Sequence, residues 1–156
     1  MSEMDTMDFH PITGSEPLAD LSEPTAALIQ FYRAFNTRDL ALMAENWDRD
    51  GDIVMDNPVG GIANGWDNIK TVYERLFNGH ARIEVAFHDY ILKNFGALLL
   101  AVGRERGRLV RGDTNFDLAF RTTRLFRFNG GCWRQIHHHG SIDEPTLLAR
   151  FQLALS

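Results

Sequence analysis

The sequence predicts an α+β fold in which helices cover one face of a curved, mostly antiparallel sheet. Two observations carry this prediction. Between residues 24 and 78 apolar residues recur mainly at helical spacing, whereas from residue 81 onward they fall in long runs with the two-residue alternation of strands. Helices followed by an antiparallel meander, without an internal repeat, indicate a single domain of the α+β class.

Composition restricts the class of protein. A chain of 156 residues with 44% apolar content can bury a core as one domain, and its one cysteine, Cys132, rules out an intrachain disulfide. The net charge of -5 argues against general nucleic-acid binding, which needs a basic surface. No apolar run approaches the roughly 20 residues of a membrane span, and the N-terminus is acidic where a secretory signal would be basic. We therefore expect a cytoplasmic protein that binds neither nucleic acid nor membrane.

The helices follow a leader without periodicity, residues 1–18, which we expect to be flexible or loosely attached. Ser22 and Pro24 then open a first helix, Asp39 caps a short second one, and Asn64-Gly65 starts a third. Three apolar stripes are predicted to be buried: Leu28, Phe31, Tyr32 and Phe35; Leu40, Met43, Ala44 and Trp47; and Trp66, Ile69, Val72, Tyr73, Leu76 and Phe77.

The strands begin with a short one at residues 53–55, which ends in the turn Asp56-Asn57-Pro58-Val59-Gly60-Gly61. The turn residues Asn129-Gly130-Gly131 join the last two strands in a hairpin. The four long strands are predicted at residues 83–92, 97–106, 115–128 and 132–141.

A final helix after Pro145 carries several apolar side chains, among them Leu147 and Phe151. We expect this tail, residues 144–156, to extend a dimer contact. The domain itself is then predicted to span residues 19–143.

One charge lies on an otherwise apolar strand face. Alternation places Arg124 on the same face as Phe120 and Phe126. A guanidinium there needs an anion or a set of acceptors, and two partners fit: a buried carboxylate of the protein, or the carboxylate or phosphate of a ligand. The preceding strand repeats the pattern, so Arg104 is predicted to enter the same concavity.

Three segments resemble the nuclear transport factor 2-like superfamily: the MDNPVGG turn, the helix that begins with Gly-Trp, and the hairpin TRLFRFNGGCWRQIHHHGS. The resemblance covers roughly residues 25–143. It is closest to the SnoaL-like group and to the association domain of calcium/calmodulin-dependent kinase II. It implies a cone-shaped α+β barrel in which a strongly bent sheet wraps three helices, with a pocket between them and dimerisation through the outer face of the sheet. This fold serves both enzymes and binding modules.

The steroid isomerases of this superfamily allow a test of individual residues. The position of their general base corresponds to Asn57, with Asp56 one residue earlier and therefore on the other face of an extended chain. Their oxyanion-binding tyrosine corresponds to Phe31, beside Tyr32, and their neutral aspartate to Arg124. Because all three roles are altered, the resemblance does not imply steroid isomerisation.

The association domain is more similar at these positions, because it places arginines where Arg104 and Arg124 stand. Its hairpin implies that one set of side chains faces the pocket, namely Ile136, His138 and Gly140. The alternate set is then expected to face a dimer interface: Trp133, Gln135, His137, His139 and Ser141. A His-x-His pair on one face can chelate a metal, but no third ligand is evident at matching spacing, so we expect neither a metal nor a cofactor.

Together these observations predict a homodimer with an enclosed pocket for a small organic acid or carbonyl compound. The expected ligand-binding residues are Arg124, Arg104, Asn57, Tyr32, Tyr73 and Trp66. His138 and Asp56 are the candidates for proton transfer. Two alternatives stay open at this point: an isomerase, dehydratase or hydrolase that uses His138 or Asp56, and a non-catalytic dimerisation module.

Overall fold

The computed structural model describes residues 10–18 and 20–156. Its described part contains four α-helices and six β-strands, which confirms the α+β prediction. The helices are α1 (Pro24–Asn36), α2 (Leu40–Asn46), α3 (Trp66–Asn78) and α4 (Pro145–Leu155). The strands are β1 (Val54–Asp56), β2 (Ile62–Asn64), β3 (Arg82–Phe95), β4 (Leu98–Arg111), β5 (Thr114–Asn129) and β6 (Cys132–Ser141).

The six strands form one sheet in the order β2-β1-β6-β5-β4-β3. All neighbours are antiparallel except β1 and β6, which run parallel. Strands β2 and β3 lie at the two edges and do not pair with each other, so the sheet stays open and does not close into a barrel. One apolar core fills the space between the inner face of the sheet and the helices, and it includes Leu28, Phe31, Met43, Ile69, Phe87, Leu109 and Phe126. Among the described residues, no helix combines the length and apolar content needed to span a membrane.

Strand β4 presents the opposite face from the one predicted. Leu99, Ala101 and Glu105 are buried on the inner side, whereas Val102 and Arg104 are exposed. The prediction that Arg104 enters the concavity is therefore wrong. The prediction failed because every residue from position 98 to position 102 is apolar. Alternation of apolar and polar residues therefore cannot show whether the odd-numbered or the even-numbered residues of this strand face the core.

A β-bulge changes the faces of β6. Phe126 pairs with Gln135 and Leu125 pairs with His137, so Ile136 is an extra residue between them. As a result Trp133 and Gln135 are buried, together with His138 and Gly140 farther along. The expectation that Trp133 and Gln135 face outward into an interface is wrong, because strict alternation does not survive the bulge.

The described part of the predicted leader, residues 10–18, contacts the domain. Ile12 is 4% exposed and exchanges two backbone hydrogen bonds with Phe87, of 3.0 and 2.8 Å. Arg33 in α1 donates to the carbonyl oxygen of Gly14 at 2.8 Å, and Asn36 donates to that of Thr13 at 2.9 Å. Residues 1–9, for which flexibility was also expected, lie outside the described residues.

Helix α4 folds back onto its own domain. Phe151 is buried in edge-to-face contact with Phe120, at 5.3 Å between ring centroids. Arg111 at the end of β4 donates to the carbonyl oxygens of Ala154 and Ser156, at 2.7 and 2.9 Å. The helix therefore covers one end of the inner sheet face of the same chain, and its extension of a dimer contact stays a prediction.

Candidate functional site

A cavity of about 610 Å³ lies between the inner face of the sheet and helices α1, α3 and α4. Its volume falls within the roughly 300–1,000 Å³ of small-molecule sites. Most of its wall is apolar, contributed by Phe31, Phe35, Met55, Val72, Leu76, Ile83, Val85, Phe120, Phe151 and Leu155. Several lining residues are exposed to solvent, and they show where the cavity opens: Gly60, Gly61, Ile62, Arg75, Gly79, His80 and Ser156.

Strand β5 places Arg124 in the cavity wall, where the residue is 1% exposed. Its Nη2 donates to Oε2 of Glu105 at 2.7 Å, and its Nη1 donates to Oε1 of Gln135 at 2.7 Å. The guanidinium carbon lies 3.6 Å from the ring centroid of Phe31. Of the two partners considered for Arg124, the structure thus contains the carboxylate of the protein itself.

Further buried polar groups hold this ion pair. Tyr32 in α1 donates its hydroxyl to Oε2 of Glu105 at 2.6 Å. Gln135 donates to Oδ1 of Asn46 at 3.0 Å, and Asn46 in turn donates to Oε1 of Gln30 at 2.9 Å. The network therefore connects α1 and α2 with β4, β5 and β6.

The pKa values of this cluster follow from burial and from the pair. Burial and the neighbouring charge of Glu105 raise the pKa of Tyr32 well above its ordinary value. Burial opposes the charge of Arg124, but Tyr32 and Glu105 outweigh it and raise the pKa of the guanidinium. Tyr73, which lines the cavity, has its pKa raised to about 12, chiefly by burial. Both phenols are therefore uncharged at neutral pH.

His138 lines the cavity from β6 and is 7% exposed. Neither ring nitrogen has a hydrogen-bond partner among the described residues. Burial lowers its pKa well below 6.5, and the charges of Arg124, His137 and His139 lower it further, so the ring is neutral at pH 7. A Cβ at Gly140 would lie 3.1 Å from Nε2 of His138, so the missing side chain leaves room for the ring.

The DNPVGG turn separates its two predicted site residues. Asn57 lines the cavity and accepts a hydrogen bond from the backbone of Val59 at 3.1 Å. Asp56 does not line it; its carboxylate lies 3.7 Å from Nε2 of His139, a partly exposed residue. The one-residue shift has moved the carboxylate away from the cavity, as the alternation of extended chain requires.

The remaining predicted ligand residues divide in the same way. Tyr73 lines the cavity, whereas Tyr32 is fully buried behind its wall, and Trp66 and Arg104 lie elsewhere. The ring of Trp66 packs against the guanidinium of Arg49, 4.8 Å from the ring centroid. Arg104 donates to the carbonyl oxygen of Gly103 at 3.0 Å. The structure therefore brings together Arg124, His138, Asn57 and Tyr73.

Two groups of cavity residues were missed from the sequence. Glu105 supplies the carboxylate for Arg124. In the sequence, only its position next to Arg104 could have indicated it, in a strand whose alternation does not show which side chains face inward. Phe151, Ala154 and Leu155 of α4 carried no signal that assigned them to this cavity. Within the described ranges, no three His, Cys, Asp or Glu side chains are grouped so that they could hold a metal ion.

Comparison with known proteins agrees with the fold. Residues 25–144 match the family model of the SnoaL-like domain. A nuclear transport factor 2-like family structure from Streptomyces avermitilis superposes with a TM-score of 0.70 at 18% identity, covering 78% of this chain and 94% of that one. A nuclear transport factor 2-like superfamily protein from Salmonella enterica superposes with a TM-score of 0.69 at 16% identity, covering 78% of this chain and 89% of that one. The calcium/calmodulin-dependent kinase II hub of S. rosetta superposes with a TM-score of 0.66 at 16% identity, covering 81% of this chain and 98% of that one. A search of curated protein sequences finds no match.

We predict that Arg124→Ala lowers the free energy of unfolding by about 3–5 kcal/mol, because it leaves Glu105 buried without its cation. Arg121→Ala, in the same strand, is the matched control: its ion pair with Asp143 has side chains that are 58% and 60% exposed, so a loss below about 1 kcal/mol is expected. Urea denaturation measures both values. Equal losses of unfolding free energy in the two variants would show that the buried pair stabilises the fold no more than the exposed pair does.

His138 should make the stability of the fold depend on pH in one direction. Below pH 6.5 the unfolded chain protonates this histidine, whereas the folded chain, with its lowered pKa, does not. Its contribution is therefore constant above about pH 7 and falls by up to about 1.4 kcal/mol per unit as the pH decreases below 6.5.

Urea denaturation at pH 7.5 and pH 5.5 measures this effect. We expect His138→Gln to lose less stability between the two values than the wild type does. His80→Gln, at an exposed position, should keep the wild-type dependence. Parallel pH profiles for the wild type and His138→Gln would contradict the neutral, buried state of this ring.

Proposed function

The chain belongs to the SnoaL-like family, and from that premise we propose that it binds a small, mostly apolar organic molecule in the cavity between the sheet and helices α1, α3 and α4. The observation that supports this most is the cavity wall: about 610 Å³ of space with aromatic and aliphatic side chains and a few convergent polar groups. Such a combination is typical of sites that hold a ligand by its apolar body and orient it by one or two hydrogen bonds.

The charge around Arg124 and Glu105 favours an uncharged ligand over an organic acid at this part of the cavity. Arg124 already faces the carboxylate of Glu105 at 2.7 Å, so the pair as a whole carries no net charge. His138 is neutral as well, because its pKa is lowered. A carboxylate that reached the pair would lose its hydration without gaining an unpaired cation there, whereas Arg75 and Arg111 line other parts of the cavity. Of the two ligand types first considered, the organic acid is therefore disfavoured, and an uncharged molecule fits better.

Binding is also better supported than catalysis. Asp56 lies outside the cavity beside His139, so it cannot reach a bound molecule. His138 lacks a described partner to orient its ring, and its lowered pKa makes it a weak base near neutral pH. The isomerase, dehydratase or hydrolase alternative would need a proton acceptor that these two residues do not provide.

Self-association is a second candidate function, and one surface feature favours it. The outer face near the β3–β4 turn exposes neighbouring apolar pairs: Val102 beside Ile91, and Leu98 beside Phe95. Contiguous exposed apolar residues are typical of protein contacts. A hub protein of similar fold, at 16% identity, is known from S. rosetta. We therefore propose that two copies pair through this outer sheet face, as the family resemblance implied.

A pair of tryptophan substitutions in α4 tests the cavity. Ala154 lines the cavity, whereas Ala149 is exposed on the same helix. We expect 2-naphthol, an uncharged molecule with an apolar body, to raise the unfolding temperature of the wild type and of Ala149→Trp, because a ligand that binds only the folded state stabilises it. Ala154→Trp fills the space and should lose the shift. No shift in the wild type, or equal shifts in both variants, would overturn the proposed site.

The self-association proposal predicts a change of mass in solution. Val102→Glu places a charge in the proposed contact, so sedimentation should show a dimer for the wild type and a monomer for this variant. Ile62→Glu is the control, because Ile62 is 74% exposed on β2 at the opposite side of the sheet. A monomeric wild type, or a dimer that survives Val102→Glu, would contradict pairing through this face.

A further inference from the structure

The two carboxylate oxygens of Glu105 have different surroundings. Oε2 accepts both of the hydrogen bonds that the residue receives, from the hydroxyl of Tyr32 at 2.6 Å and from Nη2 of Arg124 at 2.7 Å. No described residue donates to Oε1. Oε1 is not among the described side-chain atoms that are both shielded from solvent and without a partner, and the Glu105 side chain keeps 8% of its surface exposed. One oxygen is thus anchored and the other is available.

The side chain of Glu105 belongs to the cavity wall. Glu105 is 6% exposed overall and lines the cavity from the inner face of β4, so a molecule in the cavity reaches it there. The rings of Phe31 and Phe120 line the same cavity and offer no donor, so Tyr73 is the lining residue whose hydroxyl could compete with a ligand. An ionised acceptor in such apolar surroundings gains much from a donor, because few other groups compete for it.

Arg124, the cation of the buried pair, is less available than its partner Glu105. Arg124 donates to Gln135 and to Glu105, and its planar face packs on Phe31. Its positive charge is therefore directed at the protein, whereas the unsatisfied atom of the pair is a negatively charged oxygen. Tyr32 and Arg124 also fix the orientation of the Glu105 carboxylate, so a ligand need not order it on binding.

We propose that Oε1 of Glu105 is the acceptor that recognises the ligand, and that the ligand carries an O–H or N–H donor at the end that enters the cavity first. The ligand class is then an alcohol, a phenol or an aromatic amine, each uncharged at neutral pH and with an apolar body, and a carboxylate is disfavoured because it would meet another carboxylate. This inference rests on the proposed cavity function and specifies the chemistry of its inner end.

Three probes with one naphthalene body test the assignment: 2-naphthol, 2-methoxynaphthalene and 2-naphthoic acid. Fluorescence titration of the wild type gives their dissociation constants. A hydrogen bond to a charged acceptor predicts that 2-naphthol binds at least about tenfold more tightly than its methyl ether, which has no donor. The acid should bind most weakly. Equal affinities for naphthol and ether, or tightest binding of the acid, would overturn the role of Glu105.

Glu105→Gln tests the same oxygen from the side of the protein. The amide oxygen can still accept from Tyr32 and Arg124, which turns the amide N–H groups toward the cavity. The advantage of 2-naphthol over its ether should therefore disappear in this variant. Glu84→Gln, on an exposed side chain of β3, should keep the wild-type order. If Glu105→Gln fails to fold, the probe series on the wild type decides the question alone.

The outcomes separate this inference from the proposed function. If the three probes bind the wild type equally and Ala154→Trp abolishes their binding, the cavity function stands and the assignment to Glu105 is wrong. If none of the probes binds the wild type, both are wrong. If 2-naphthol is preferred in the wild type and the preference is lost in Glu105→Gln, both are supported.

Discussion

The buried pair of Arg124 and Glu105 sets the conditions for the rest of the structure. A guanidinium and a carboxylate removed from water are tolerated only when each has the other and further hydrogen bonds. Tyr32 completes the shell on one side and Gln135 on the other, and these four residues lie on α1, β4, β5 and β6. The pair thereby fixes how the first helix sits on strands β4, β5 and β6. It also places one cation and one anion side by side in the cavity wall, so that this part of the wall carries no net charge.

The sequence was sufficient for the architecture because its patterns had one interpretation. The helical stripe through Leu28, Phe31 and Tyr32 is buried as expected, and Asn129-Gly130-Gly131 joins β5 to β6. Two local features could not be predicted. The run of apolar residues that starts at Leu98 has no phase, so the inner face of β4 was assigned to the wrong set. The bulge at Ile136 adds one residue to β6, and no pattern in the sequence marks it.

These two features explain most of what was missed in the site. The apolar face around Arg124 did indicate that the guanidinium needs an anion. Because the inner and outer faces of β4 were exchanged in the prediction, Arg104 was assigned to the cavity and its neighbour Glu105 was not. His138 was placed in the cavity through the family resemblance, which applies beyond the bulge. The contribution of Phe151 depends on a helix that folds back over the cavity, and an apolar helix face alone does not state which surface it covers. Local patterns therefore predicted which residues are buried. The partner of a buried charge could be identified only from the pairing register of the strands.

A crystal structure of the wild type with 2-naphthol would show whether the cavity holds an apolar molecule by a donor directed at Glu105. We expect the naphthalene to lie between the rings of Phe31 and Phe120, with the hydroxyl oxygen within about 2.5–3.0 Å of Oε1 of Glu105. An empty cavity, or a naphthol bound on the outer sheet face, would contradict it.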